Sequence, residues 1–264
     1  MKSIVITGST RGIGYGLADA FLERGCYVVI SGRTQEKVEE AIAKLSTNHD
    51  PKHLLGCPCD VTRFDEVQTL WDTALARWGQ VDVWINNAGM GHAQTDFWDE
   101  SPEEIAAVVE TNIIGAMYGA RVALKGMLGQ GFGSLYNVEG LGSDGRRVQG
   151  LTLYASTKYG LKYLTDALVQ ETRGTSVLVG ALRPGMVLTD LLTQQYQERP
   201  EEWERVKRVF NILADRVETI APWFADQILG NTRSGVRFRW LSTGKVMGHF
   251  LGALLGKRDL FRED

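Results

Sequence analysis

Short β-branched runs alternate with amphipathic stretches along most of the chain, and their order already predicts an architecture. Ile4 to Thr7 forms the first run, followed by a glycine-rich turn and the helical pattern GLADAFLERG, which ends at Gly25. Tyr27 to Ser31 reads as a second strand, and TQEKVEEAIAKL as a helix with Val38, Ile42 and Leu45 on one face. Leu54 to Pro58 forms a third strand. A helix through FDEVQTLWDTALARWG precedes the strand VDVWIN, and a long helix from Pro102 precedes GSLYNV. SVLVGAL and VRFRWL add two more strands towards the end. Strands alternating with helices of this length favour parallel pairing with right-handed crossovers. The expected fold class is therefore α/β, a doubly wound parallel sheet with its ligand beyond the carboxyl ends of the strands. No repeat, low-complexity tract or Pro/Gly/Ser-rich linker interrupts the pattern, so residues 1–264 read as a single domain.

Charge and cysteine usage narrow the function classes. A net charge of −3 supplies no basic face for phosphates, which argues against a nucleic-acid partner. Three cysteines do not make a disulfide framework, and a reducing compartment follows. Cys57 and Cys59 flank Pro58 with His53 nearby, but no second pair completes a metal site, so no metal is expected. MKSIVITGST runs into an apolar strand without the features of a targeting segment, and no apolar run approaches the roughly 20 residues that span a bilayer. The expected location is cytoplasmic.

Candidate chemistry begins in TGSTRGIG, where Gly8, Gly12 and Gly14 follow a strand and open a helix. Glycine is required where the backbone turns sharply or approaches phosphate, and free amides at a helix start favour anionic oxygen. Gly8, Ser9, Thr10, Arg11, Gly12, Ile13 and Gly14 are thus candidate nucleotide contacts. After the second strand, Gly32 and Arg33 appear with no acid before Glu36. A ribose 2′-phosphate needs cationic donors there and repels a carboxylate, so NADP(H) is expected over NAD(H), with Arg11 as a second cation. The alternative is that either arginine is a solvated surface charge. Downstream, Tyr154 and Lys158 lie four apart on a helix and share a face. The ammonium is expected to lower the phenol from its usual pKa of about 10 towards working pH, so that it exchanges a proton with a carbonyl oxygen.

With TGSTRGIG, CDVT, NNAG, TNIIGA, YASTK and RPGMVLT in this order, the sequence resembles the short-chain dehydrogenase/reductase family over nearly its whole length. The resemblance implies that Asp60 and Val61 approach the adenine. It also implies that Asn87, Ala88 and Gly89 hold a strand beside the cofactor, and that Pro184, Gly185, Val187 and Thr189 flank the nicotinamide. Asn112, a serine, Tyr154 and Lys158 would form the catalytic set, the last two also touching cofactor. Asn112 has the alternative of bonding backbone within its own helix. The family's usual serine falls three residues after Asn137, where this chain has Gly140 preceded by Glu139. Ser143 is the substitute we assign, carried into place by the glycines around it. An ordinary loop serine is the rival reading.

NVEGLGS, YASTKYGLK, PGMVLTDLL and the tail RVFNILADRVETIAPWF are similar to the chlorophyll(ide) b reductase group. That similarity implies NADPH-dependent reduction of a ring formyl group, with a small apolar carbonyl compound, a tetrapyrrole, as substrate. Residues 190–222 would form a helical substrate flap. Trp203, Val206, Phe210 and Leu213 make one stripe within it, read either as ligand wall or as core. VMGHFLGALLG suits a lid, a subunit contact or a peripheral membrane surface. His92 and Trp98 lie on a cleft loop, either touching substrate or serving as plain surface. Another ketone or aldehyde, such as a 3-oxoacyl thioester, and a non-catalytic NADPH-binding role are the alternative functions. The family resemblance also implies a homodimer or homotetramer.

Overall fold

A computed structural model of the chain describes residues 1–189, 200–254 and 260–261. Its main sheet is built from β1 (Ser3–Ile6), β2 (Tyr27–Gly32), β3 (Leu54–Pro58), β4 (Val83–Asn86), β5 (Gly133–Val138), β6 (Val177–Arg183) and β9 (Arg237–Arg239). The strands are parallel throughout and lie in the order β3-β2-β1-β4-β5-β6-β9. All four residues of β1 are buried, as expected for a parallel strand covered on both faces. The helices α1 (Gly12–Glu23), α2 (Gln35–Leu45) and α3 (Phe64–Trp78) connect the first strands in turn. One apolar layer gathers Leu17, Phe21, Ile30 and Ile85. The other gathers Val5, Leu70, Trp71, Trp84 and Met127. This is the doubly wound α/β architecture that the pattern predicts.

Local chemistry explains where the helices begin. The Thr34 hydroxyl accepts from the Lys37 amide at 3.4 Å at the start of α2. Ser101 caps α4 (Pro102–Val109) in the same way at 3.1 Å, with Pro102 in the first helical position. The long helix expected from Pro102 is continuous but not regular. Between α4 and α5 (Gly115–Gln130) the backbone widens into a π turn over Glu110–Ile114, which contains Asn112.

Beyond β6 the chain departs further from the sequence pattern. β7 (Met186–Leu188) pairs with β8 (Ala214–Arg216) in a separate two-stranded parallel sheet, and α7 (Pro200–Leu213) precedes β8. α8 (Val217–Leu229) then buries Val217, Ile220, Ala221 and Phe224 in the main core, with Val217 against Gly16 of α1. Residues 217–222, at the carboxyl end of the expected flap of about 190–222, form the first turns of this core helix. Residues 190–199, and the side chain of Trp203, lie outside the described residues. Within α7, Phe210 is buried while Val206 and Leu213 are partly exposed. The last helix, α9 (Thr243–Leu254), follows β9 and packs beside α7.

Candidate active site

The strand order reverses between β1 and β4, so the loops after those strands open the crevice where a doubly wound sheet binds ligands. The turn after β1 is tightly built. Gly8 has φ +63°, and a Cβ there would stand 2.9 Å from Ala88 Cα, so glycine is required for both reasons. Asn87 Nδ2 donates to the carbonyls of Thr7 at 2.9 Å and Gly8 at 3.0 Å, and the Thr7 hydroxyl accepts from the amides of Asn87 and Ala88 at 3.0 Å each. This stitching fits the supporting role expected of Asn87 to Gly89. Thr7 takes part in three of these four bonds and has no distinguishing mark in the sequence.

Ser9 is fully buried, and its hydroxyl donates to Ile6 O at 2.9 Å and accepts from Ser31 N at 2.8 Å. It shapes the turn from within. Thr10 packs over Gly32 at the end of β2, which brings the exposed Arg11 and Arg33 to neighbouring loops. α1 opens at Gly12, Ile13 and Gly14 with no side-chain cap. The uncapped helix-start amides form a donor set that fits the diphosphate of a dinucleotide. Asp60 is turned inward, its Oδ1 accepting from the amide and hydroxyl of Thr62 at 3.0 and 2.8 Å, and Val61 packs against Gly115. Pro184 and Gly185 follow β6, Val187 lies within β7, and Thr189 stands over Gly12. Cys57 and Cys59 are buried free thiols, and burial pushes the latter up to about 12.

Three of the four expected catalytic side chains converge around Gly89 and Gly140. A Cβ on Gly89 would lie 3.4 Å from Asn112 Oδ1 and 3.6 Å from Lys158 Nζ. One on Gly140 would lie 2.5 Å from the Tyr154 hydroxyl, too close for any larger residue without moving the phenol. Tyr154 and Lys158 project from α6 (Thr152–Glu171). Lys158 is only 5% exposed, donates to Val138 O at 3.2 Å, and holds its ammonium 5.6 Å from the centre of the Tyr154 ring. Asn112 does not bond within its own helix. It clasps the backbone of Met90, accepting from the amide at 2.7 Å and donating to the carbonyl at 2.9 Å, and also donates to Thr157 Oγ1 at 3.1 Å.

Ser143 is buried in the loop before α6, and its hydroxyl donates to Gly140 O at 2.7 Å. It lies one backbone group from the Tyr154 phenol, with its proton directed at that carbonyl. Donation to a substrate requires rotation about its C–O bond.

The electrostatics reverse one expectation. Burial pushes the Tyr154 phenol up to about 12 rather than down, and burial brings Lys158 down to about 8, opposed by the Glu139 carboxylate. Desolvation outweighs the attraction that the helical spacing implies. Glu139, at the position before Gly140, is itself fully enclosed. Its Oε2 accepts from Arg183 Nε and Nη2 at 3.0 and 2.6 Å, and its Oε1 from Arg237 Nε at 2.9 Å; Arg237 continues to Asp166. Glu139 is thus a structural anchor that joins β6 to β9. Sequence reasoning missed this because both arginines come from distant strands.

His92 is buried rather than a surface loop residue, and its Nε2 accepts from the Tyr154 amide at 3.2 Å. Trp98 is 81% exposed on the same loop. No helix among the described residues is long and apolar enough to cross a membrane.

Residues 2–200 match the family model described as short chain dehydrogenase. The chain is 36% identical over 231 residues to chlorophyll(ide) b reductase NOL, chloroplastic, of Oryza sativa subsp. japonica, covering 86% of this chain and 66% of that protein. It is 32% identical over its full length to probable chlorophyll(ide) b reductase NYC1, chloroplastic, of the same plant, where it spans 54% of the relative. The 3-ketoacyl-(acyl-carrier-protein) reductase of Brucella melitensis, solved with NADH, superposes with a TM-score of 0.79 at 25% identity, covering 90% of this chain and 96% of that one. Together with the parallel sheet, the glycine turn and the Tyr154–Lys158 pair, these matches establish that the chain belongs to the short-chain dehydrogenase/reductase family, NAD(P)-binding oxidoreductases of carbonyl and alcohol groups.

Proposed function

We propose that this chain is an NADPH-dependent reductase that converts the C7 formyl group of chlorophyll(ide) b to a hydroxymethyl group. The observation that carries the reading is the Tyr154 phenol held between Gly140 and the buried Lys158. A phenol held up at about 12 is in the form that gives a proton to a carbonyl oxygen at neutral pH. When bound, the dihydronicotinamide supplies the hydride that reaches the carbonyl carbon. Tyr154 donates its proton to the oxygen, and the Lys158 ammonium stabilises the phenolate left behind until solvent reprotonates it. Ser143 turns its hydroxyl from Gly140 O to the substrate oxygen, and Asn112 holds the Met90 backbone that borders the same space. Arg11 and Arg33 support the 2′-phosphate form of the cofactor.

The pigment is supported by the similarity to the two reductases from rice and by the Asn-x-acidic-Gly-x-Gly-Ser segment, Asn137 to Ser143, which resembles that group. A ketone or aldehyde of another class, including a 3-oxoacyl thioester, is the second reading, favoured by the likeness to the Brucella enzyme. We also propose a homo-oligomer and a reducing location such as the cytoplasm, in keeping with the three free cysteines. The deciding measurement is NADPH oxidation with chlorophyllide b, a 3-oxoacyl thioester and simple apolar aldehydes as separate substrates. Turnover of the pigment, with its absorption band shifting in step with NADPH loss, is expected. Turnover of the thioester or aldehyde alone selects the second reading. NADPH binding without any turnover leaves a nucleotide-binding protein.

A further inference from the structure

The amide of Tyr154 is one of the first amides of α6 and has no carbonyl partner inside the helix. Leu151 at the N-cap supplies no side-chain bond either. The partner arrives from 62 residues away in the chain, as Nε2 of His92 at 3.2 Å. This contact dictates the state of the ring. Nε2 must present its lone pair, so the proton of a neutral imidazole resides on Nδ1. Nδ1 stands 2.6 Å from Ala93 O and 2.8 Å from Glu100 Oε1.

Only the first of these is aligned as a hydrogen bond, and Glu100 Oε1 has no hydrogen-bond partner among the described residues. The Glu100 side chain is 2% exposed and that of His92 is wholly enclosed. A carboxylate oxygen is costly to bury without a donor, and a slight turn of the ring gives it the Nδ1 proton. The loop bearing His92 is pinned to the start of α6 elsewhere as well. Thr95 N donates to Gly150 O at 3.1 Å, and Gln94 Nε2 to Gln149 O at 2.7 Å.

We infer that His92 is a positioning residue for Tyr154: it caps the amide of the residue carrying the phenol, while Glu100 and Ala93 O hold its ring in the Nδ1–H form. The inference rests on the proposed reductase chemistry only for its kinetic consequence. A cap on the amide of the proton donor fixes the turn of helix from which the phenol projects, and small displacements of a reacting group cost large rate factors. His92 itself has no contact with the reacting atoms.

Two measurements without turnover test it. In 15N spectra of the imidazoles of the intact protein, His92 is expected to show a protonated Nδ1 and an unprotonated, hydrogen-bonded Nε2; an Nε2–H ring overturns the inference. Amide hydrogen exchange at Tyr154 is expected to quicken in His92→Leu and to stay near wild type in His92→Gln, whose side-chain oxygen can replace Nε2. Unchanged exchange in His92→Leu, or equal quickening in both variants, overturns it.

The kinetic arm uses NADPH and whichever carbonyl compound the wild type reduces. The kcat of His92→Leu is expected to fall roughly 10²-fold with KM for NADPH unchanged. That of His92→Gln is expected to remain within about threefold, because it restores the acceptor. Equal losses in the two variants overturn the inference, and should His92→Leu fail to fold, the spectrum and His92→Gln decide alone. A wild type inactive on every carbonyl sinks the proposed function while the spectrum and exchange still judge His92.

Discussion

Lys158 illustrates the conflict between function and stability at a single residue. Its pKa is brought from 10.5 to about 8, so holding it charged in the folded protein costs about 3 kcal/mol relative to water. Below pH 8 the lysine is protonated whether the chain is folded or not, and the whole penalty is present. Between about pH 8 and 10.5 only the unfolded chain still holds the proton, so stability rises with pH across that window. Lys158→Met is therefore expected to unfold at a higher urea concentration than wild type at pH 7, while losing turnover. The difference between the two proteins should shrink as pH approaches 10.5. Ser143 makes the opposite kind of prediction. Its hydroxyl already has an acceptor in Gly140 O, so Ser143→Ala should unfold within about 1 kcal/mol of wild type. Its kcat should nevertheless fall roughly 10²-fold in the reductase assay, through loss of a donor to the developing alkoxide. An unchanged kcat removes Ser143 from the chemistry and leaves Tyr154 as the proton source.

The ends of β5, β6 and β9 are joined by the Glu139 carboxylate as well as by backbone pairing. Arg183 and Arg237 are mostly buried against it, so Glu139→Ala leaves Arg183 without this counter-charge and Arg237 with Asp166 alone. Breaking a buried pair from one side costs about 3–5 kcal/mol, and a loss in that range is expected by urea titration. The same substitution removes the charge that opposes burial at Lys158, so the alkaline limb of the kcat profile should move to lower pH; Glu139→Gln should share that movement with a smaller stability loss. Much of this element-level framework is legible in the sequence. Parallel strands buried on both faces produce unbroken β-branched runs, and β3 falls at Leu54–Pro58 as expected. Four-residue spacing on a helix likewise reveals Tyr154 and Lys158. The π turn at Asn112 leaves no comparable trace, since a five-residue hydrogen-bond step has no hydrophobic period of its own. β7 and β8, three residues each, are too short for any period to show. The partners of Glu139 lie 44 and 98 positions away, and that of His92 lies 62 positions away, so no local spacing points to either. The direction of the Tyr154 shift was hidden for a related reason. Spacing brings a cation near a phenol but does not report how much water surrounds them.

Over the whole molecule, the loop after β1 supplies the nucleotide turn and α6 the Tyr154–Lys158 pair, whereas β7, β8, α7 and α9 stand outside the main sheet. On the reading of those segments as a cover for the substrate, what ties them to the domain decides how large a molecule the crevice encloses. Asp215 of β8 is the principal described link. It is buried, and its Oδ2 accepts from Trp240 Nε1 at 2.6 Å, just beyond β9, while His249 of α9 approaches its Oδ1 at 3.9 Å. Trp240 in turn receives the Lys245 ammonium on its face, 2.9 Å from the ring centre, and packs edge-on against Trp223 of α8. One carboxylate thus connects β8, the end of β9 and α9, and through Trp223 reaches the core helix packed on α1. Removing it leaves a part-buried indole N–H without this partner, at a cost of about 1 kcal/mol. Neither Trp240 nor His249 belongs to the nucleotide turn. Asp215→Ala is therefore expected to leave KM for NADPH and kcat with a small aldehyde near wild type, and to raise KM for a large apolar substrate severalfold. Side-by-side kinetics with the two substrates provide the check. An equal rise in both KM values would mean that the outer segments do not enclose the substrate, whereas a rise confined to the large one identifies Asp215 as the tie that holds the cover over the crevice.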